Sequence, residues 1–267
     1  MEPLIERARA GDSAALQELL QSVAPAIHRF GLRMCKSESD ADDVLQDTLL
    51  SIATHLSQFE GRSSLSSWVF ALTRSACTRR RRGLKNQPHA NVEHVGELHD
   101  REPTPEQSVS DRELSDALNV ALGRLPDDHR EVILLRDVED LSAAESAAAL
   151  GISVEALKSR LHRARAALRD ALRPVLEPVV PPASPDCPDV LSLWSRKLEG
   201  DLSPKDCSEM EQHVLGCVSC GAACNALKHA LWACQQSATP TVRPEVQARV
   251  KAALHMLAAG GPTYDRK

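Results

Sequence analysis

The chain is predicted to be all-α. Only seven of its 267 residues are aromatic, three Trp, three Phe and one Tyr, while alanine and leucine are abundant. Apolar residues recur at helical spacing through most of the sequence, and no convincing alternating strand pattern interrupts them. The length suits one to three domains and is enough for real cores.

Residues 1–36 read as two helices. Gly11-Asp12-Ser13 starts the second, with Leu16, Leu19, Leu20, Val23 and Ile27 on one face. Ser39-Asp40-Ala-Asp42-Asp43 opens a third, because acids in a first turn complement the helix dipole. Leu45, Leu49, Ile52 and Leu56 form its buried stripe. Asp43, Gln46, Asp47 and Ser51 fall away from that stripe and leave an acidic and amide face, which in many proteins is only a solvated surface. Phe59–Trp68 is a Gly/Ser-rich turn into another helix, with Ser66 or Ser67 as caps. That helix ends in the run Arg79-Arg80-Arg81-Arg82, which can follow a phosphate backbone.

Residues 86–109 read as a linker, with Pro88, Pro103 and Pro105. His89, His94 and His99 have no compact metal spacing. Asp111–Leu122 is an amphipathic helix, and Leu125-Pro126 begins the next, with Val132, Ile133, Leu135 and Val138 as core. Ser142-Ala-Ala-Glu145 is a capping box for a short helix ending at Leu150. Gly151-Ile-Ser153 is a tight turn, and a basic helix runs from Val154 to about Leu172, completing a helix-turn-helix pattern. Leu157, Leu161, Ala164 and Leu168 are its buried side. At about 100° per residue, Glu155, Ser159, His162 and Arg163 point away from that stripe, toward base edges. Lys158, Arg160 and Arg165 sit on the shoulders, where they reach phosphates. Pro174 to Pro185 make a stiff spacer over residues 174–186.

The net charge of −5 by itself argues against nucleic acid, but the charge is uneven. Residues 61–92 hold seven Lys/Arg and no acid, and residues 93–116 hold eight acids. Met1-Glu-Pro-Leu-Ile-Glu-Arg7 lacks the apolar core of a signal peptide. No apolar run approaches the ~20 residues of a membrane span. A cytoplasmic protein is expected, not membrane-bound, with thiols kept reduced.

Six of the eight cysteines fall between residues 187 and 234, where they read as metal or redox chemistry. His213 and Cys217 share a helix face, and Cys217-x-x-Cys220 wraps a second thiolate round the same ion. Cys187 is the natural fourth ligand. Cys207, Cys224 and Cys234 are thiols beyond that quartet. Three readings compete: a sensor whose extra thiols enter the ligand set, a closed structural zinc, and a thiol redox switch that expels metal on oxidation. The donor set suits zinc or cadmium, and copper also fits. No constellation of catalytic side chains suggests an enzyme. Cys35 and Cys77 read as small helix residues.

Residues 1–85 resemble region 2 of bacterial extracytoplasmic-function (ECF) sigma factors, on Asp40-Ala-Asp-Asp-Val-Leu-Gln-Asp-Thr48, Phe59–Trp68 and the arginine run. Residues 110–173 resemble region 4, on Leu125-Pro126, Arg130–Arg136, Leu141–Ser153 and Lys158–Ala164. Residues 187–220 resemble the zinc-finger fold of anti-sigma factors, within a cysteine-rich metal-binding module over 187–236 that a helical tail over 237–267 follows. A sigma factor with such a module is similar to the CorE-like, metal-dependent group. The resemblance implies binding to core RNA polymerase through Asp43, Gln46, Asp47 and Thr48. It implies −10 promoter contacts from Arg62, Ser63, Ser64, Trp68, Arg74 and Arg79–Arg82, and −35 contacts from Val154–Arg165. Ser75 and Arg79 stand where the family often has Asn and Asp. The fused module implies that metal controls the sigma domains, activating them, and that no separate anti-sigma factor is required. A DNA-binding regulator that never touches polymerase is the alternative.

Overall fold

The computed structural model describes residues 2–35, 37–85, 108–176, 183–236 and 242–258. All regular elements among them are helical. In chain order they are α1 (Glu2–Arg9), α2 (Ser13–Met34), α3 (Glu38–His55), α4 (Leu65–Lys85), α5 (Ser108–Arg124) and α6 (Asp127–Ile133). Then come α7 (Ala143–Leu150), α8 (Val154–Leu176), α9 (Val190–Leu198), α10 (Pro204–Gly216), α11 (Val218–Gln236) and α12 (Pro244–Ala258). Most of the predicted linker, residues 86–107, lies outside the described residues, as do residues 177–182 of the spacer.

The chain forms two compact units. The first holds α1–α4 and α12, and Ala148–Leu150 at the end of α7 group with it. Its helices start where the caps direct them. Asp12 accepts from the backbone N–H groups of Ala14 and Ala15 at 3.0 and 3.1 Å, and Ser37 accepts from that of Asp40 at 3.1 Å. The α3 cap is thus Ser37, two residues before the predicted start. The predicted stripe of Leu45, Leu49, Ile52 and Leu56 is buried. Leu20, Ile27, Leu45, Leu49, Ile52 and Val69 form one apolar cluster, and Val242, Val246 and Val250 complete it. Full burial of a valine stabilises by about 1.5–3 kcal/mol before the entropy of ordering is counted. These three valines are the apolar contacts of the α12 segment with this cluster.

The second unit holds α5, α6, most of α7 and α8–α11. The predicted capping box is present: the Ser142 N–H donates to Glu145 Oε2 at 2.9 Å, and the Glu145 N–H to Ser142 Oγ at 3.2 Å. Gly151 turns with φ +66°, a left-handed conformation that glycine adopts without strain. Ser153 then caps α8 through the Ala156 N–H at 3.1 Å. Leu157, Leu161, Ala164 and Leu168 are fully buried. Helix α8 continues through Pro174 to Leu176, past the predicted end near Leu172. A proline near a helix end forfeits one backbone bond without breaking the helix interior.

Helix α9 is capped by Asp189 and α10 by Ser203 with Pro204 at its first position. The chain bends by 111° between α10 and α11. A Cβ on Gly221 would meet the Val214 carbonyl at 3.0 Å, so only glycine lets the first turn of α11 cross α10 this closely. Among the described residues no single helix is long and apolar enough to cross a membrane.

Candidate functional site

Cys187, His213, Cys217 and Cys220 converge, with one ligand atom from each lying within 4.8 Å of all the others. Cys187 Sγ is 3.8 Å from Cys217 Sγ, and His213 Nε2 is 3.3 Å from Cys220 Sγ. A tetrahedral zinc with Zn–S of about 2.3 Å separates two sulfurs by about 3.8 Å, and an imidazole nitrogen and a sulfur by about 3.6 Å. The four side chains therefore fit such an ion with little rearrangement. Three elements supply them: the turn before α9, the end of α10 and the first turn of α11.

The thiols are unequal. The Cys220 backbone N–H donates to Cys217 and holds its pKa below the ordinary thiol value. Burial, with Cys187 and Cys217 adding to it, pushes Cys220 up to about 12. Cys220 thus stays protonated unless a cation sits among the sulfurs, which is the chemistry of a metal site.

The other three thiols stand apart from this quartet. Cys207 lies beside Glu211, with Sγ 3.7 Å from Oε1. Cys224 packs under the quartet beside Val190 and Cys220, and burial raises its pKa. Cys234 is fully buried in the last turns of α11. Cys35 and Cys77 are buried in the first unit, 4.0 Å apart.

The cysteine-rich module packs against the helix-turn-helix within the second unit. Glu199, just after α9, accepts from Arg165 Nη2 at 3.0 Å and from Arg136 Nε at 3.2 Å. Arg165 also bonds Asp137 at 2.6 and 3.1 Å and Ser195 Oγ at 3.0 Å. Burial works against its charge, but Asp137 and Glu199 outweigh burial and hold its pKa above the ordinary value. Arg165 is 2% exposed, which corrects its predicted role. Its shoulder of α8 is covered by α9, so it cannot reach a phosphate and acts as the joint between the two modules.

The remaining α8 residues divide. Glu155, Ser159 and Arg163 are exposed, and His162 is half-buried. Lys158 Nζ lies 2.6 Å from both carboxylate oxygens of Asp201, and Arg160 is 3.6 Å from Asp128. Lys158, Ser159, His162 and Arg163 line a groove of about 430 Å³ with Ser192 and Arg196 of α9. Sequence reasoning missed Arg196 and Asp201, because only the packing of α9 brings them to the recognition helix.

In the first unit, Asp43, Gln46 and Asp47 are half-buried on α3. Thr48 is 1% exposed, which corrects its place on the docking face: it lies on the core side of the helix. Arg249 donates to Asp43 Oδ1 at 3.1 Å and to Gln46 Oε1 at 2.7 Å. Arg62, Arg79 and Arg82 are exposed, and Ser63, Ser64, Arg74 and Arg81 are half-buried. Although no acid lies within residues 61–92, the run is partly compensated from α3, where Arg80 pairs with Asp40 at 2.5 Å and Asp43 at 2.6 Å. Trp68 is half-buried against Phe59, with ring centroids 5.2 Å apart, and joins the apolar core.

Three family models match the chain in the order these units suggest. Sigma-70 region 2 matches residues 19–87, Sigma-70 region 4 matches 115–168, and a zinc-finger model matches 187–221. The ECF RNA polymerase sigma factor SigM of Mycobacterium tuberculosis is 33% identical over 159 residues, spanning 60% of this chain and 78% of SigM. The chain belongs to the ECF sigma factor family. The sigma factor NccH of Alcaligenes xylosoxydans xylosoxydans is 36% identical over 62% of this chain and 91% of its own. A solved structure of CnrH in complex with the cytosolic domain of CnrY is 26% identical, with a TM-score of 0.49 over 64% of this chain and 96% of CnrH. ECF sigma factors bind core RNA polymerase and promoter DNA, and they are not enzymes. The cysteine-rich module is an addition to that two-region plan.

Proposed function

We propose that this ECF sigma factor is controlled by metal loading of Cys187, His213, Cys217 and Cys220, and that loading activates it. The observation that supports control is the joint at Glu199. Helix α9 starts three residues after Cys187 and ends beside Glu199, which is bonded to Arg165 of the recognition helix. A bound ion, zinc or cadmium by its donor set and copper by softness, supplies a cross-link between the start of α9 and the α10–α11 bend. The quartet positions α9, and α9 positions the side chains beside α8. Metal occupancy and promoter binding then share one set of contacts, which is what a coupling free energy requires.

In this reading Asp43, Gln46 and Asp47 dock on core polymerase. Arg62, Ser63, Ser64, Arg74, Arg79 and Arg82 work at the −10 element, and Glu155, Lys158, Ser159, Arg160, His162 and Arg163 at the −35 element. The protein acts in the cytoplasm without a separate anti-sigma factor. The test is reporter transcription against Zn²⁺, Cd²⁺ and Cu²⁺ for the wild type and for Cys→Ala variants at 187, 217 and 220. Output is expected to rise with zinc or cadmium in the wild type and to stay flat in the variants. Equal output with no metal and with each metal contradicts metal control.

A further inference from the structure

We propose that α12 is an internal occupant of the polymerase-docking face of α3, and that the chain engages core polymerase only after α12 leaves. The proposal rests on the assignment of Asp43 and Gln46 to docking.

The contacts are specific on both sides of the helix. Val242, Val246 and Val250 are 8%, 2% and 7% exposed and seat against Leu45, Leu49, Ile52 and Val69. Arg243 flanks one end of this stripe, paired with Asp42 and lying 3.8 Å from Glu38. Arg249 flanks the other, bonded to Asp43 and Gln46. Val246 and Val250, four residues apart, share one face of α12, and Val242 reaches the same cluster from the segment just before the helix. The α3 surface therefore accepts an amphipathic helix with an apolar stripe and flanking arginines. Arg249 takes one acceptor site on Asp43 Oδ1 and one on Gln46 Oε1, and the helix that carries it stands where a polymerase helix would have to approach them. Two of the residues assigned to polymerase are engaged by the chain's own C-terminal segment.

The attachment makes the occupancy reversible. Because α12 belongs to the same chain as α3, it re-docks intramolecularly, at an effective concentration that a free partner has to outcompete.

If α12 covers the face in about nine molecules of ten, the apparent affinity for core polymerase lies about tenfold below its intrinsic value. The experiment measures binding of full-length, metal-loaded protein to core RNA polymerase by fluorescence anisotropy. Arg243→Glu/Arg249→Glu is expected to bind up to about tenfold more tightly than the wild type, and Val246→Asp to move the same way. A synthetic peptide spanning residues 242–258 is expected to displace the double variant from polymerase. Equal or weaker binding by both variants overturns the proposal, as does a peptide without effect. Adding Asp43→Arg to the double variant separates the two readings: loss of binding supports the docking face, and retained binding overturns that assignment together with the proposal built on it.

Discussion

Arg165 of the recognition helix and Glu199 of the cysteine-rich module form a buried ion pair, 3.0 Å apart, with side chains 2% and 4% exposed. Asp137 shares the same guanidinium. Arg165→Met strips the main cation from two buried carboxylates and is expected to cost about 3–5 kcal/mol. Urea unfolding of the full chain measures it. A variant as stable as the wild type but weaker on promoter DNA would restore Arg165 to a phosphate contact.

The ligand set is expected to be four. Elemental analysis should find zinc retained in Cys207→Ser and Cys234→Ala, and lost in Cys217→Ser. Chelation should lower the melting temperature of the wild type, because a structural ion contributes its binding energy to the fold. Loss of zinc from Cys207→Ser would bring that thiol into the ligand set.

Asp201 pairs with Lys158 at 2.6 Å on the face proposed to meet DNA. Asp201→Asn is expected to free that ammonium for a phosphate. The slope of log K against log salt for −35 DNA should steepen by about one. An unchanged slope would show that Lys158 takes no part in binding.

His28 ties stability to pH. It lies 3.1 Å from Asp42, and both side chains are buried. Burial lowers its pKa from the ordinary 6.5; the Glu38 charge opposes this and the Arg243 charge adds to it. A base with a lowered folded pKa binds fewer protons folded than unfolded. Stability is therefore complete above about 6.5 and falls as pH drops from there toward the lowered folded value. His28→Gln keeps a donor for Asp42 without a titrating ring. Its urea midpoint should fall less than that of the wild type between pH 8 and pH 5.5. Parallel falls would exclude His28 as the source.

Local signals were the legible ones. The capping box at Ser142 and Glu145, the turn at Gly151 and the buried face of α8 depend on neighbours a few residues away, and the sequence displays these directly. The quartet was legible for the same reason, since three of its members lie within eight residues. Arg165 was not. The phase of α8 put it on a shoulder, and only the return of α9, some thirty residues on, turns that shoulder into an interior. Thr48 shows the same limitation of angular reasoning at a boundary position. The destination of α12 was also hidden, although Val242, Val246 and Val250 with two flanking arginines form an amphipathic stripe that signals a partner.

The most direct test is run-off transcription with purified core RNA polymerase and the full chain, stripped of metal and then titrated with zinc. Promoter-specific transcript is expected to rise in step with occupancy of the quartet and to stay at the metal-free level for Cys217→Ser. Equal transcript from the metal-free and zinc-loaded wild type would contradict metal control.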